Sequence, residues 1–291
     1  MTKEKHNPSQ KPGTNKHVNT LLTILFSVIS VVYIMPIAVV LINSFKSRNE
    51  ISRSPFSVPT GESFVGFENY VNGMASGNYP FYSAVLYSVF ITVASTFVIL
   101  LCTSMCAWYI TRRNSRTSKF FYLLCIVSMV VPFQTVMYTL PQLANRLGLG
   151  NPLGIIVIYL GFGAGLAVFM FSGFVKSIPL EIEEAATIDG CGPIRTFFSV
   201  VLPIMKPTVV SVSILELMWI WNDYLLPYRV LDLNKYRTIP IQIQYLNAGY
   251  GLKDIGAMMS MVIISIIPII IFYLFCQKSI VKGIVAGAVK G

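Results

Sequence analysis

Two acidic side chains interrupt the long apolar stretches of this sequence, and both lie within residues 207–227. Glu216, Trp219 and Asp223 follow one another at helical spacing and so share one face of a helix. A charged side chain inside a membrane span costs about 2.5–3.5 kcal/mol, which makes each one a functional candidate. Asn222 and Tyr224 flank this face. Carboxylate, amide and aromatic groups together suit a ligand rich in hydroxyls, such as a sugar.

Structural roles remain open for the same side chains. Glu216 either binds the ligand, pairs with a second subunit or holds a packing interface, whereas Trp219 and Tyr224 either line a path or lie in an aromatic belt at the membrane surface. Gln134 is a further candidate for a polar path. It lies between two prolines, which free backbone carbonyls that a membrane tolerates only where they face a cavity or another helix.

The chain that must position these residues is mostly apolar. Apolar residues make up 54% of its 291 residues and charged residues only 12%, about half the charged share of a soluble domain. A helix that crosses a membrane needs about 20 apolar residues. Six stretches meet this length: 18–43, 81–110, 120–140, 152–175, 207–227 and 257–276. The first is too long for a cleavable secretory signal, whose apolar part has about 7–15 residues, so we interpret it as a retained anchor.

The distribution of Lys and Arg predicts the orientation, because cytoplasmic loops carry the excess of both. The short loop 111–119 contains Arg112, Arg113, Arg116 and Lys119, whereas the loop 141–151 contains only Arg146. We therefore expect both termini, the loop 111–119 and the loop 176–206 to be cytoplasmic. The net charge of +10 is then a signal of topology and requires no nucleic-acid partner.

The polar loop 176–206 has the sequence signals of a short helix. Ser177 is a predicted N-cap and Pro179 suits the first turn, where the following glutamates interact favourably with the helix dipole. Gly190 is expected to end the helix, because glycine tolerates the left-handed conformation that closes many helices. Pro193 is expected to start the next helical piece.

One face of this short helix is predicted to be shallow enough for close docking. Its members share helical spacing. They are Ile182, Ala185, Ala186 and Asp189. The alternative is an amphipathic connector on the lipid surface, but such a helix usually directs Lys or Arg toward lipid, and this one carries glutamates.

Residues 184–203 also carry a resemblance. Their pattern, Glu-Ala-Ala-x₃-Gly-x₉-aliphatic-x-Leu-Pro, resembles the cytoplasmic loop of permease subunits in binding-protein-dependent ATP-binding-cassette (ABC) importers. Val200 stands where that family usually has Ile. Residues 221–227 look like the end of the fifth span of sugar permeases, and residues 278–291 look like the C-terminus of the maltose-type second permease. The resemblance covers roughly residues 80–291.

The resemblance implies an all-α membrane protein, a MetI-like permease bundle of six transmembrane helices with a cytoplasmic coupling helix. We expect a cytoplasmic tail (1–17), a first span with an outer loop (18–80), a core domain (81–282) containing the coupling loop 176–206, and a C-terminal tail (283–291). The implied location is a bacterial inner or plasma membrane, crossed several times.

The implied function is ATP-driven uptake of a carbohydrate, an oligosaccharide. The implied partners are a homologous second permease, two ATPase subunits, an extracytoplasmic sugar-binding protein and the sugar. Because Asn222 and Asp223 match a motif shared across sugar permeases, a structural or gating role is favoured for both.

Three groups of residues would carry the contacts with these partners. The residues of the coupling loop that would dock to an ATPase are Glu184, Ala185, Ala186, Asp189 and Gly190. In the outer loop 228–256, the residues that would reach the binding protein are Asn247, Gly249, Tyr250 and Gly251, with a plain flexible loop as the alternative. In the tail, the residues that would reach the ATPase interface are Gly287, Lys290 and Gly291, with a frayed end as the alternative.

Catalysis by this chain itself is not expected. Its only histidines, His6 and His17, lie in the polar N-terminal tail, and it contains no Gly-x₄-Gly-Lys-Ser/Thr phosphate-binding loop. We therefore expect no catalytic residues, no metal and no cofactor of its own, with ATP and Mg²⁺ bound by the partner ATPases. The alternatives are a secondary ion-coupled carrier, which usually shows inverted repeats, and an importer for a solute other than a sugar.

Overall fold

The structure is a computed structural model that describes residues 16–75, 79–113, 115–248 and 254–288. These parts of the chain are mostly helical, and residues 197–201 form a π-helical turn. The α-helices are, in chain order, α1 Lys16–Asn43, α2 Arg48–Arg53, α3 Glu68–Ala75, α4 Phe81–Arg112, α5 Arg116–Val130, α6 Phe133–Val136, α7 Thr139–Arg146, α8 Pro152–Val175, α9 Leu180–Ile188, α10 Pro193–Thr196, α11 Leu202–Ile204, α12 Lys206–Asn222, α13 Leu225–Val230, α14 Ile239–Ala248 and α15 Ile255–Ala288.

Four of the six predicted spans are single helices long and apolar enough to cross a membrane: residues Val18–Asn43, Phe81–Arg112, Pro152–Val175 and Ile255–Gln277. A fifth requires the segment 193–204 and α12 to be taken together, although they meet at an angle of 79°. The predicted stretch 120–140 is divided among α5, α6 and α7. The count of six is therefore not confirmed, because Pro132 follows the end of α5 and the residue before a proline is disfavoured in a helix.

The long helices form a bundle around α8. α4 packs along α8, α5 packs on α8, and α12 packs against both α4 and α15. The fully buried side chains of this core include Ile99, Tyr159 and Phe171. In lipid, close packing rather than exclusion of water holds such helices together, so the fit between their surfaces determines the bundle.

Glycines of α8 provide part of that fit within the chain itself. A Cβ added at Gly163 would lie 2.8 Å from the Glu216 carboxylate and 2.8 Å from Ile99, and one at Gly165 would lie 2.7 Å from a carbonyl of α5. In contrast, Gly161 and Gly173 have no heavy atom within 4 Å of the added carbon. Small residues here therefore serve close approach between helices of one subunit as well as leaving open surface.

The segment between α1 and α4 is anchored to the beginning of α15. The Asn69 side chain donates to the Lys46 carbonyl at 2.8 Å, and Ser260 Oγ of α15 donates to the Asn69 carbonyl at 2.8 Å. Lys46 is fully buried, and its Nζ donates to the Ser54 carbonyl at 2.7 Å. A buried ammonium group requires such oxygen partners, so this basic residue holds the segment together.

Candidate functional site

The short helix α9 ends as its glycine predicts. Gly190 has φ of +81°, its N–H donates to the Thr187 carbonyl at 3.0 Å, and the Cys191 N–H donates to the Ala186 carbonyl at 2.9 Å. This pair of bonds is the Schellman arrangement that closes a helix with a left-handed residue. The prediction that Gly190 terminates the helix is confirmed.

The predicted start of α9 is wrong by two residues. Pro179 occupies the N-cap position with φ of −57°, and the helix begins at Leu180. Ser177 Oγ instead donates to the Phe174 carbonyl at 2.7 Å, so this serine satisfies an acceptor at the end of α8. Ser and Thr side chains make such local bonds readily, which is why a serine before a helix is not always its cap.

The face of α9 that lies against the bundle also differs from the prediction. Glu183 and Ala186 are buried, whereas Glu184 and Ala185 are exposed and Ile188 is 86% exposed. The prediction that both alanines contribute to an outward face is therefore wrong, because Ala186 lies one turn from Glu183 and turns inward with it. The exposed surface of α9 contains Glu184, Ala185, Ile188 and Asp189.

The contact that holds α9 in place was not predicted from the sequence. Glu183 Oε1 accepts from Arg112 Nε at 2.8 Å and lies 2.7 Å from Arg112 Nη2, while Glu183 Oε2 accepts from Trp108 Nε1 at 2.9 Å. Trp108 and Arg112 are one turn apart near the end of α4. The sequence places Glu183 one turn before Ala186, which indicates that the two share a face of α9. It does not identify the partner of Glu183, which lies some 70 residues earlier in the chain.

Glu216 lies inside the bundle. It is 2% exposed, it packs beside Gly163, and within the described residues its Oε2 has no hydrogen-bond partner. Trp219, in contrast, is 41% exposed. Glu216 therefore lies in a packing interface, as one of its predicted alternatives holds, because α8 presents a glycine there and closes over the carboxylate.

Asp223 organises the end of α12. Its Oδ1 accepts from the N–H groups of Leu225 at 2.9 Å and Leu226 at 3.3 Å, and its Oδ2 accepts from the Tyr159 hydroxyl at 3.0 Å. The ring of Tyr159 also meets Trp219 edge to face at 5.5 Å. The carboxylate thus connects α12, α13 and α8, a geometry suited to a structural role.

Tyr224 belongs to an aromatic cluster that was not predicted from the sequence. The rings of Tyr224 and Tyr228 stack at 5.0 Å, and the Arg229 guanidinium lies 5.4 Å from the ring centre of Tyr138. Tyr138 is 66% exposed, and Asn222 is exposed near the same end of α12. The i, i+4 spacing of Tyr224 and Tyr228 could have indicated this pair, whereas Tyr138 comes from a distant segment.

Gln134, the remaining candidate for a polar path, is exposed and lies in the four-residue helix α6. Its helix starts after Pro132, which occupies the N-cap position. The structure therefore places Gln134 in a short helix between α5 and α7 rather than inside a continuous span.

At the opposite end of α4 from α9, the predicted outer loop is largely helical. The Ile239 N–H at the start of α14 donates to Ser88 Oγ at 2.8 Å, and Gln242 Nε2 donates to the Tyr79 carbonyl at 2.9 Å. Arg237 stacks over Tyr79, and burial raises the pKa of the Tyr79 hydroxyl above its usual value. Polar contacts thus anchor the start of the helix 239–248 to α4. The choice between a segment that reaches the binding protein and a plain flexible loop concerns residues 247–251 and stays a prediction.

Several predicted contact residues lie at the ends of the described segments or outside them. Asn247 falls in the last turn of α14, whereas Gly249, Tyr250 and Gly251 lie outside the described residues. Gly287 falls within α15, which continues to Ala288. Lys290 and Gly291 lie outside the described residues, as does the tail 1–15.

These helices define an all-α protein that crosses a membrane several times and exposes one short helix, α9, at one end of its bundle. The model of the family of binding-protein-dependent transport system inner membrane components matches residues 99–285, and the chain belongs to this family. The resemblance that rested on residues 184–203 is thereby confirmed, and the chain is a permease subunit of an importer.

Relatives match almost the whole chain. One is 37% identical over 270 residues, covering 93% of this chain and 96% of the relative: the probable starch degradation products transport system permease protein AmyC of Thermoanaerobacterium thermosulfurigenes. The multiple sugar-binding transport system permease protein MsmG of Streptococcus mutans is 32% identical over 92% of this chain and 95% of its own length. A solved bacterial ABC transporter that imports the acidic polysaccharide alginate contains a chain with the same fold, with a TM-score of 0.77 at 20% identity over 92% of this chain and 99% of that chain.

Proposed function

We propose that this chain forms half of the translocation path of an ATP-driven importer of oligosaccharides. The relatives named for starch degradation products and for multiple sugars support a carbohydrate substrate. The observation that carries the coupling role is the arrangement of α9. Its inward face is fixed to the bundle through Glu183, while Glu184, Ala185 and Ile188 are presented outward.

The exposed surface of α9 docks to an ATPase subunit on the cytoplasmic side of the membrane. The basic residues at the junction of α4 and α5 support this orientation, since Arg112, the last residue of α4, contacts Glu183 and therefore lies at the same end as α9. ATP and Mg²⁺ bind to the ATPase subunits. Both termini of the permease are cytoplasmic in this arrangement.

A homologous permease covers part of the apolar surface of this chain. An 18-residue stretch of α1 has a mean hydropathy of 2.7, yet none of its residues is buried against the rest of the chain. Such a helix requires lipid or another helix around it, and a pathway between two subunits leaves more space for an oligosaccharide than one bundle does. The substrate path lies between the two subunits.

Polar and aromatic side chains at the end of α12 and just after it contact the sugar. Trp219 and Tyr224 provide ring faces for the apolar side of a pyranose, and Asn222 provides hydrogen-bonding groups for hydroxyls. Gln134 contributes a further amide. Glu216 contributes to the packing of the bundle and does not contact the sugar directly, because α8 covers its side chain.

The mechanism is alternating access. ATP binding closes the two ATPase subunits, which draws the two coupling helices together and opens the path outward, where an extracytoplasmic binding protein delivers the sugar. Hydrolysis then resets the inward-facing state. The contacts between α9 and the long helices carry this motion to the path, so these contacts determine the coupling.

Affinity purification of the tagged chain from its native membrane tests this proposal. We expect to recover a homologous permease and an ATPase, with ATP hydrolysis stimulated by a binding protein loaded with one oligosaccharide. Stimulation only by a binding protein carrying another class of solute would replace the carbohydrate assignment. Recovery of this chain alone, with uptake that follows an ion gradient, would contradict the importer mechanism.

A further inference from the structure

The contact between α9 and α4 is more extensive than one hydrogen bond. Both carboxylate oxygens of Glu183 have partners: Oε1 interacts with Nε and Nη2 of Arg112, at 2.8 and 2.7 Å, and Oε2 with Nε1 of Trp108, at 2.9 Å. Glu183 is only 7% exposed. Two guanidinium nitrogens converge on one carboxylate oxygen while the indole N–H holds the other, so Arg112 and Trp108 together fix the orientation of the carboxylate.

The same two residues of α4 also hold the chain on either side of α9. Arg112 Nη2 donates to the Ile178 carbonyl at 2.9 Å, in the linker that precedes α9. The Trp108 ring lies 5.5 Å from that of Phe197, which begins the π-helical turn after α9. Phe197 is fully buried. The last turns of α4 thus contact the segment before α9, α9 itself and the segment after it.

This ion pair differs from the others among the described residues. Arg53–Glu50 and Lys235–Asp232 each join residues three positions apart, at 3.8 Å. Arg112–Glu183, at 2.7 Å, is the one that connects two distant elements. Because its carboxylate is buried and the other pairs are more exposed, solvent screens it less.

We propose that Trp108, Arg112 and Glu183 form a brace that makes α9 and α4 move as one body when an ATPase displaces α9. This inference rests on the proposed coupling role of α9. In the proposed arrangement the three residues act through α9 rather than on the sugar or ATP, so they are positioning residues. Their loss is expected to let α9 shift without carrying α4 with it, so that ATP is hydrolysed with less transport.

The test uses the whole complex in proteoliposomes, with ATP hydrolysis and sugar uptake measured on the same preparation. Glu183→Gln and Arg112→Gln each remove one charge of the pair. We expect uptake per ATP hydrolysed to fall roughly tenfold, within the usual range of coupling between sites. Arg112→Lys keeps the charge but loses the two-nitrogen contact, and we expect it to lie between Arg112→Gln and the wild type.

Matched controls are available at adjacent exposed positions. Glu181→Gln removes a carboxylate from the same turn of α9, and Arg113→Gln removes a guanidinium from the end of α4. Arg113 contacts Tyr109 rather than Glu183. Both controls are expected to keep the wild-type ratio of uptake to hydrolysis, and an equal loss in them would overturn the brace in favour of a general effect of charge.

The double variant Arg112→Gln/Glu183→Gln separates a shared action from two independent ones. If the residues act through each other, the double variant is no worse than either single variant, since it leaves no unpaired charge. Losses in the ratio that multiply in the double variant would overturn the brace.

Trp108→Phe covers the case in which the charge variants do not assemble. It keeps an aromatic ring beside Phe197 and deletes the Nε1 donor to Glu183 together with part of the volume of the indole. We expect an assembled complex with a lower ratio and faster amide hydrogen exchange in α9. A wild-type ratio together with wild-type exchange would overturn the brace. Absence of ATP-driven uptake in the wild-type complex would instead contradict the proposed function.

Discussion

At the scale of single residues, the neighbouring polar side chains of Asn222 and Asp223 at the end of α12 make different contacts. The Asp223 carboxylate accepts three hydrogen bonds, from Tyr159, Leu225 and Leu226. Asn222 is exposed, and its Nδ2 donates to the Met218 carbonyl of its own helix. Adjacent residues of one sequence motif are therefore separable by substitution.

We predict that Asp223→Ala lowers the stability of the protein, whereas Asn222→Ala does not. Hydrogen bonds to a charged group contribute about 1.5–3 kcal/mol each and are not additive, so the loss at Asp223 is expected to be at least of that order. A surface substitution such as Asn222→Ala stays within about 0.5 kcal/mol. Thermal unfolding in detergent measures both variants.

The same pair distinguishes stability from sugar contact. Asn222→Ala is expected to raise the sugar concentration needed for half-maximal uptake while the unfolding temperature stays unchanged. If Asp223→Ala unfolds at the wild-type temperature, the three bonds do not stabilise the end of α12 and the structural role is wrong.

Sequence spacing correctly predicted Glu216 and Trp219 on one helix, but α12 ends at Asn222 and Asp223 is its C-cap. The spacing also could not predict the surroundings of these side chains. The i, i+3, i+7 pattern placed Glu216 with Trp219 and Asp223. Whether such a face is open depends on the residue opposite, and α8 presents Gly163 to Glu216. The substrate roles of Trp219, Asn222 and Tyr224 stay predictions, because they depend on a partner subunit.

At the scale of elements, a helix end could be predicted where the residues next to it determine it. The predicted span 152–175 coincides with α8, where Asn151 Oδ1 accepts from the N–H groups of Leu153 and Gly154. The prediction of one span over residues 120–140 is wrong, because apolar length alone does not indicate the helix break at Pro132. The orientation of α9 was equally invisible, since its inward face is selected by residues of α4.

We predict that Gly190→Val uncouples ATP hydrolysis from uptake. A Cβ at Gly190 would meet nothing within 4 Å, so the penalty comes from the backbone, whose φ of +81° is strained for a β-branched residue by about 1–3 kcal/mol. Relief of that strain unwinds the end of α9 and changes its exposed surface. The ratio of uptake to hydrolysis in proteoliposomes measures the effect.

Gly192→Val is the matched control for this variant. Gly192 also has nothing within 4 Å of an added Cβ, but its φ is −71°, which valine adopts without strain. We expect this variant to keep the wild-type ratio. Wild-type coupling in Gly190→Val would show that the left-handed end of α9 is not needed for coupling.

At the scale of the whole molecule, α4 connects the two ends of the bundle. Ser88 binds the start of α14, and Trp108 and Arg112 bind Glu183 of α9. At about 1.5 Å per residue, Ser88 and Arg112 lie about 36 Å apart along the helix, which exceeds the thickness of a hydrocarbon core of about 30 Å. One rigid helix thus contacts the element proposed to meet the ATPase and the element proposed to meet the binding protein.

Deletion of residues 247–251 tests whether the outer end takes part in sugar delivery. The contacts that anchor α14 involve Ile239 and Gln242, so removal of later residues is expected to leave the bundle and its assembly intact. We predict strongly impaired uptake with normal recovery of the complex. Replacement of the five residues by an equally long Gly-Ser sequence controls for the length of the connection and is expected to impair uptake as well. Unchanged uptake in both variants would mean that the α14–α15 connection does not act on the sugar, and that α4 transmits motion to the path without help from this loop.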